Sequence, residues 1–483
     1  MTSLRSHGGS PYVMKKRNRI ISRTKSKYWT RTHKFGIRIP KSVQEAKEID
    51  AANRNTLWWN AICKEMRNVR VAFEEYDGDI GELTKKGYKE LGMHLVFDVK
   101  MGENFRCKAR LVAEGHKTST PSSITYSSVV SRDSVRIALT IAALNGCKVL
   151  TCNIMNAYLT APCPEKFWCK AGPEFGSEAG KIFIITKALY RLKSSGAAFR
   201  SFLADHLHDI GFRVSLANPD IWMRPAVREN GFKYWEYVLC YVDDILAISD
   251  NPHKLLSGVQ LKFKLTDDKM EEPETYLGAD LSKMNNKDGD ECWAMSSDKY
   301  CAAMVKNVEE TLAKRGLRLP SKCPLPLSAG YKPELDSTAE LKADGVQFYQ
   351  EIVGQLRWAI EIGRVDILLE TSLMPSHLAL PREGHLEQAL HIVGYLKSHK
   401  KMRLLFDSAY PKIMDTWFQE YDWFDFYCDA KEAIPPNMPE ARGRDVNITC
   451  FVDANHAGNV KDRRSQTGIL IFVNKAPFHW YSK

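Results

Sequence analysis

Apolar residues recur at helical spacing through "SVQEAKEIDAANRNTLWWNAICKEMRNV" (42–69), a run of good helix formers that predicts one or two helices. Strand signals follow in "MHLVFDVK" and "FRCKARLVAEG". In "SRDSVRIALTIAALNG" the apolar positions 137, 138, 141, 142 and 144 define a helix, with Asp133 or Ser134 as its N-cap and Gly146 as its stop. An apolar strand, "CKVLTCNIM", comes next. The pattern continues with a Pro-marked loop, "TAPCPEKFW", a strand, "KIFIIT", and a helix from about Ser195 to Asp209. Two further strands, "WEYVLCYV" and "ILAIS", flank an acidic pair.

Strands interleaved with helices in this order indicate an α+β body rather than a doubly wound sheet. Past residue 330 the pattern shifts to amphipathic helices, "GVQFYQEIVGQLRWAIEIG" and "GHLEQALHIVGYLKSH", preceded by a linker-like "LSAGYKPELDSTAELKADG". The final strand signals, "VNITCFVDANHAG" and "TGILIFVNKAPFHWYS", predict the first hairpin of another α/β unit.

Length and composition add a globular chain of several domains, 483 residues with 44% hydrophobic content. No run approaches the roughly 18 apolar residues of a membrane span, which points to an intracellular protein without a membrane partner. The twelve cysteines stand singly, and Cys163 and Cys169 lack a second pair at zinc spacing, so free thiols are expected. Residues 1–40 hold eleven Lys and Arg and no acid, leaving 58 basic and 58 acidic residues in the rest. A basic arm on a balanced body suggests a polyanionic partner, and the aromatics in "KYWTRTHKFGIR" favour nucleic acid. A solvated, disordered tail has the same composition.

The acidic pair is Asp243 and Asp244 in "YVDDILAISD". Adjacent strand residues face opposite ways, so both acids are presented together only where the chain turns, and a tight hairpin at 243–244 does this. Two like charges side by side raise each other's pKa unless a cation neutralises them, and Mg²⁺ suits an all-oxygen site. An ordinary Asp-containing turn is the alternative.

The ordered run "FRCKARLVAEG", "TYSSVVSRDSVRIALTIAAL", "LTCNIMNAYLTA", "ALYRLKSSGAAFRSFL", "YVDDIL" and "EPETYLGADL" resembles the reverse transcriptase of copia-type LTR retrotransposons. The resemblance extends through the two C-terminal helices to "FVDANHAGNVKDRRSQTGILIFVNKAPFHWYSK", similar to the opening of that family's ribonuclease H. It implies a right-hand polymerase. The implied parts are a basic arm at 1–40, fingers and palm at 41–265, a thumb-like region and linker at 266–335, a helical connection at 336–445 and a truncated ribonuclease H-like part at 446–483. Two Mg²⁺ ions are implied at the palm, one activating the primer 3′-hydroxyl and one holding the triphosphate. The partners implied are an RNA or DNA template with primer, dNTPs and other retrotransposon Pol or Gag parts, in cytoplasmic particles or the nucleus.

Asp243 and Asp244 match the family's hairpin acids. The third carboxylate position is Asn153, a neutral amide whose oxygen could still ligate Mg²⁺ but which removes one negative charge. A rate loss on the order of a thousandfold or more is expected. By resemblance Tyr158 lies under the incoming sugar, while Lys108 and Arg110, which share a strand face, grip the phosphates. In "ALYRLKSSG" Arg191 replaces the family's Gly, which allows close backbone approach, while Tyr190, Lys193 and Ser195 are kept. Asp453 matches the first ribonuclease H carboxylate, and with no further family acid before Lys483 no ribonuclease H activity is expected. Three readings follow: an impaired RNA-directed DNA polymerase, a non-catalytic remnant or repurposed nucleic-acid-binding protein, and another palm-type phosphoryl transferase such as a nucleotide cyclase.

Overall fold

The computed structural model describes residues 37–100, 106–121, 124–412 and 435–483, with short pieces at 33–34, 424–430 and 433. Most of the basic arm therefore lies outside the described residues. The chain is a mixed α/β protein that divides into two compact units, Met1–Ser127 with Asn156–His206, and Ser128–Met155 with Leu207–Lys483.

In the first unit the 42–69 run forms two helices, Val43–Ala52 and Leu57–Val69. Ser42 caps the first, its Oγ accepting from the Glu45 amide at 3.1 Å. The second is held at its start by the buried Asp50 carboxylate, which accepts from the Trp58 and Trp59 amides at 3.1 and 2.8 Å. Strands Met93–Lys100 and Arg106–Ala113 pair antiparallel, with Asp98 opposite Lys108 and Val96 opposite Arg110. A second sheet orders Phe73–Glu75, Ile182–Lys187, Pro162–Lys170 and Lys89–Glu90. The expected loop at 160–168 is thus a strand from Pro162 on, with irregular pairing between Pro162 and Phe167 that lets its prolines escape the regular ladder. Trp58, Ile62, Phe97, Leu111 and Phe183 fill the core.

The second unit is built on a five-stranded antiparallel sheet ordered Arg213–Val214, Ile221–Val227, Lys233–Tyr241, Asp244–Ser249 and Lys148–Asn153. The helix Arg132–Leu144 supplies Val135, Ala138, Leu139 and Ala142 to its core. Its N-cap is Ser131, whose Oγ accepts from the Ser134 amide at 3.1 Å, rather than Asp133 or Ser134. Gly146, at φ +61°, ends the turn after it as expected. A second sheet orders Thr275–Tyr276, Ala279–Asn285, Glu291–Ser296 and Arg403–Leu405, and helices Asp298–Ala313, Ala343–Glu361 and Glu383–Ser398 bury Ile352, Leu356 and Ile392 in the same core.

The C-terminal hairpin is a three-stranded meander, Ile448–Ala454, Thr467–Val473 and Ala476–Ser482. "TGILIFVNKAPFHWYS" reverses at Asn474, φ +53°, so it supplies two strands instead of one. Arg136 of the first helix ties this meander down. It is 3% exposed, donates to Asp133 Oδ1 (2.8 Å), the Phe478 carbonyl (2.9 Å) and the Glu361 carbonyl (2.6 Å), and lies 3.9 Å over the Trp480 ring. Burial pulls its pKa down to about 10.

All twelve cysteines are free thiols. Among the described residues no helix is long and apolar enough to cross a membrane.

Candidate active site

In the second unit, the two-residue connection between Tyr241 and Asp244 comprises Val242 and Asp243. The turn is therefore one residue earlier than the 243–244 hairpin expected, and Asp244 is the first residue of the returning strand. Period-two pairing fixes this, because Tyr241 and Asp244 are cross-strand partners. Val242 takes φ +57°, a left-handed conformation that a β-branched side chain adopts only at a cost. Sequence reasoning missed Val242, although a two-residue loop favours positive φ at its first position.

Asp244 lies on the strand that pairs with Lys148–Asn153, and its cross-strand partner is Asn153. The Asn153 Nδ2 donates to Asp244 Oδ1 at 2.7 Å. The Thr266 hydroxyl donates to Asn153 Oδ1 at 2.9 Å. A carboxylate only accepts, so the nitrogen must be the atom facing Asp244, and the oxygen is turned to Thr266. The sequence expectation that the amide oxygen could serve as a cation ligand needs that oxygen on the Asp244 side, where the nitrogen sits. Thr266 carries no signal in the sequence that would have singled it out.

The backbone holds the pair in register: the Ile154 amide donates to the Asp243 carbonyl at 2.8 Å and the Thr151 hydroxyl to the Ile245 carbonyl at 2.8 Å. Behind the acids the environment is dry. Cys152 is pushed up to about 12 by burial and then by the Asp244 charge, and burial, with the Cys240 and Asp244 charges, raises the fully enclosed Tyr276 phenol.

The other candidates, Lys108, Arg110, Tyr158, Tyr190, Arg191 and Lys193, belong to the first unit. Arg110 lies 5.2 Å over the Tyr190 ring, and Tyr158 meets Tyr190 and Phe199 edge-on at 5.4 and 6.2 Å. The Ala113 amide donates to the Tyr190 carbonyl at 2.9 Å, fixing the Tyr190 loop to the strand of Lys108 and Arg110. Lys193 donates to the Thr118 carbonyl at 2.6 Å. Ser195 donates its hydroxyl to the Leu189 carbonyl at 2.6 Å and closes the loop from within.

Arg191 has φ +69°. A side chain at Gly115 would collide with the Arg191 carbonyl oxygen. The Arg191 position thus asks for glycine because of its own left-handed backbone, and the close approach occurs at Gly115. Asp453 is exposed, and its Oδ1 accepts from the Ala454 amide at 2.8 Å.

Residues 82–319 match the family model for reverse transcriptase (RNA-dependent DNA polymerase). The chain is 24% identical over 387 residues to the retrovirus-related Pol polyprotein from transposon RE1 of Arabidopsis thaliana, a match covering 78% of this chain and 22% of the relative. Residues 82–319 belong to the copia-type reverse transcriptases. Similar in degree are the Pol polyprotein from transposon TNT 1-94 of Nicotiana tabacum, 24% over 414 residues (82% of this chain, 27% of the relative), and the putative transposon Ty5-1 protein of Saccharomyces cerevisiae, 25% over 300 residues (61% and 88%). The chain spans about a quarter of the length of the plant polyproteins it matches. The match of residues 82–319 to the reverse transcriptase model argues against the cyclase reading.

Reverse transcriptase domains use divalent metal ions. The residues present here do not fit a pair of them: two carboxylates stand where an amide nitrogen occupies one oxygen of Asp244. Among the described residues no group of three or more His, Cys, Asp or Glu side chains could share a metal ion.

Proposed function

We propose that this chain is the RNA-directed DNA polymerase region of a copia-type retrotransposon polyprotein, adding dNTPs to a primer 3′-hydroxyl on a nucleic-acid template, with nucleotidyl transfer impaired in this copy. In this reading the Lys148–Asn153 and Asp244–Ser249 strands are the palm, Lys108 and Arg110 receive the triphosphate, and Tyr158 lies under the sugar. Mg²⁺ is the implied ion, and no reaction step is assigned to it because the ligand set does not fit two. The residues 446–483 are the start of a ribonuclease H-like part, with Asp453 as its first acid.

The observation that carries the impairment is the Asn153 to Asp244 hydrogen bond at 2.7 Å. It replaces one of the two facing acids by a neutral amide that donates to the other, leaving a pair with a single negative charge to draw a cation. The same bond supports the second reading, a remnant that keeps the fold and binds primer and template without extending them.

Primer extension on RNA with Mg²⁺ or Mn²⁺, beside Asn153→Asp, separates the readings. An impaired polymerase extends at least about a thousandfold slower than the Asn153→Asp variant. Equal rates overturn the impairment. No extension by either, with heteroduplex binding intact, selects the remnant.

A further inference from the structure

A cleft of about 550 Å³ opens in the second unit, lined by the end of the Arg132–Leu144 helix, the start of the Lys148–Asn153 strand, the hairpin residues Asp290–Trp293, and Ser408–Tyr410 with Arg444. Lys148 and Asn153 are five residues apart on one strand, about 17 Å at 3.3–3.4 Å per residue. The cleft is thus remote from the acid pair and has no part in the polymerase reading.

Its rim holds Lys148, Lys283 and Arg444 against Asp290 and Glu291. Lys283 is already committed, 2.6 Å from Glu272 and 3.4 Å from Glu291. Asp290 accepts from the Asn286 side-chain amide at 3.3 Å. Lys148 and Arg444 are exposed, and neither side-chain cation has a hydrogen-bond or ion-pair partner among the described residues. Arg444 is nonetheless fixed at the rim, because its backbone amide donates to Asn145 Oδ1 at 2.9 Å.

Two uncommitted cations select an anion, and the nearby carboxylate of Asp290 disfavours one carrying three or four charges. Ala142, Leu144, Val149 and the buried Trp293 form an apolar part of its wall beside the charged rim. Tyr410 stands on the rim, 46% exposed, its hydroxyl donating to the Asp445 carbonyl at 2.9 Å, so its ring is held as a stacking surface. The volume lies within the roughly 300–1,000 Å³ of small-ligand sites. We propose that this cleft binds a small, ring-bearing monophosphate of the nucleoside monophosphate class.

Isothermal titration of the full chain with AMP, ATP, adenosine and inorganic phosphate tests this. AMP is expected to bind, with adenosine and phosphate each at least about tenfold weaker and ATP weaker than AMP, since both ring and single phosphate are used. Lys148→Glu and Arg444→Glu each weaken AMP about tenfold, and Ala143→Trp, which fills the cleft, abolishes it while circular dichroism stays unchanged. Asn153→Asp leaves AMP binding as it is. The proposal is overturned if AMP gives no heat, if ATP binds as well as AMP, if the Glu and Trp variants bind AMP normally, or if Asn153→Asp alone removes binding.

Discussion

The Asn153 amide nitrogen donates to Asp244 Oδ1 at 2.7 Å across one antiparallel register pair, and the Thr266 hydroxyl holds the amide oxygen on the other side. One oxygen of the Asp244 carboxylate is thus engaged by its cross-strand neighbour. An acid at this position would set two half-buried carboxylates against each other. We expect Asn153→Asp to lower stability by about 1–3 kcal/mol in EDTA, from the lost bond and the added repulsion. Millimolar Mg²⁺ should raise the melting temperature of the variant and leave that of the native chain in place. A native chain that gains as much from Mg²⁺ as the variant would refute this account.

Thr266 acts through the amide. Thr266→Val removes the hydroxyl donor with little change in shape, at an expected cost of about 1 kcal/mol in urea unfolding. In Asn153→Ala the same substitution should cost clearly less, a coupling of about 0.5 kcal/mol or more. Additive losses would mean that the two side chains do not depend on each other.

Arg191 carries a left-handed backbone, φ +69°, on an L-residue with a long side chain. The left-handed region costs such a residue roughly 1–2 kcal/mol, offset in part by the entropy of glycine in the unfolded chain. Arg191→Gly should therefore stabilise the protein by about 0.5–1 kcal/mol in chemical denaturation. A loss of stability would show that the arginine side chain has a compensating contact.

Glu65 is a pH probe of the first unit. Its Oε1 accepts from the Leu111 amide at 3.0 Å, but burial outweighs that bond and raises its pKa above the usual carboxylate value. The folded state thus holds this proton more tightly than the unfolded chain. The resulting stabilisation is complete below the unfolded value of about 4.5 and is lost as pH rises through the folded value. Glu65→Gln keeps an oxygen for Leu111 and removes the titration. Its stability should fall less than the native chain's between pH 4 and pH 6; parallel curves in that range would contradict the assignment.

The sequence carried the helices well, because Ser131–Gly146 and the helices around residues 343–361 and 383–398 each show an apolar face and a usable boundary. Boundaries within a residue or two were less legible. Ser131 competes with two other cap-forming residues just downstream, and only the backbone shows which hydroxyl reaches an amide. The 162–170 strand was hidden by its prolines, which occupy the irregular part of the ladder. Motif order singles out Asp243, Asp244 and Asn153, and the strands pair Asp244 with Asn153. The orientation of the amide was not, since it depends on Thr266, 113 residues away. The left-handed backbone at Arg191 was hidden as well, because a positive φ leaves no mark in composition.

Arg136 gives the C-terminal strands a role that does not depend on any nuclease chemistry. Its guanidinium is enclosed by a helix of the second unit, the Glu361 carbonyl and the Phe478–Trp480 segment. Cutting the chain at residue 445 would strip away the Phe478 acceptor and the Trp480 ring and leave a charge half-solvated in a hydrophobic wall. Residues 446–483 are therefore a keystone for the helix beneath them: a chain ending before them would carry a wound in its core.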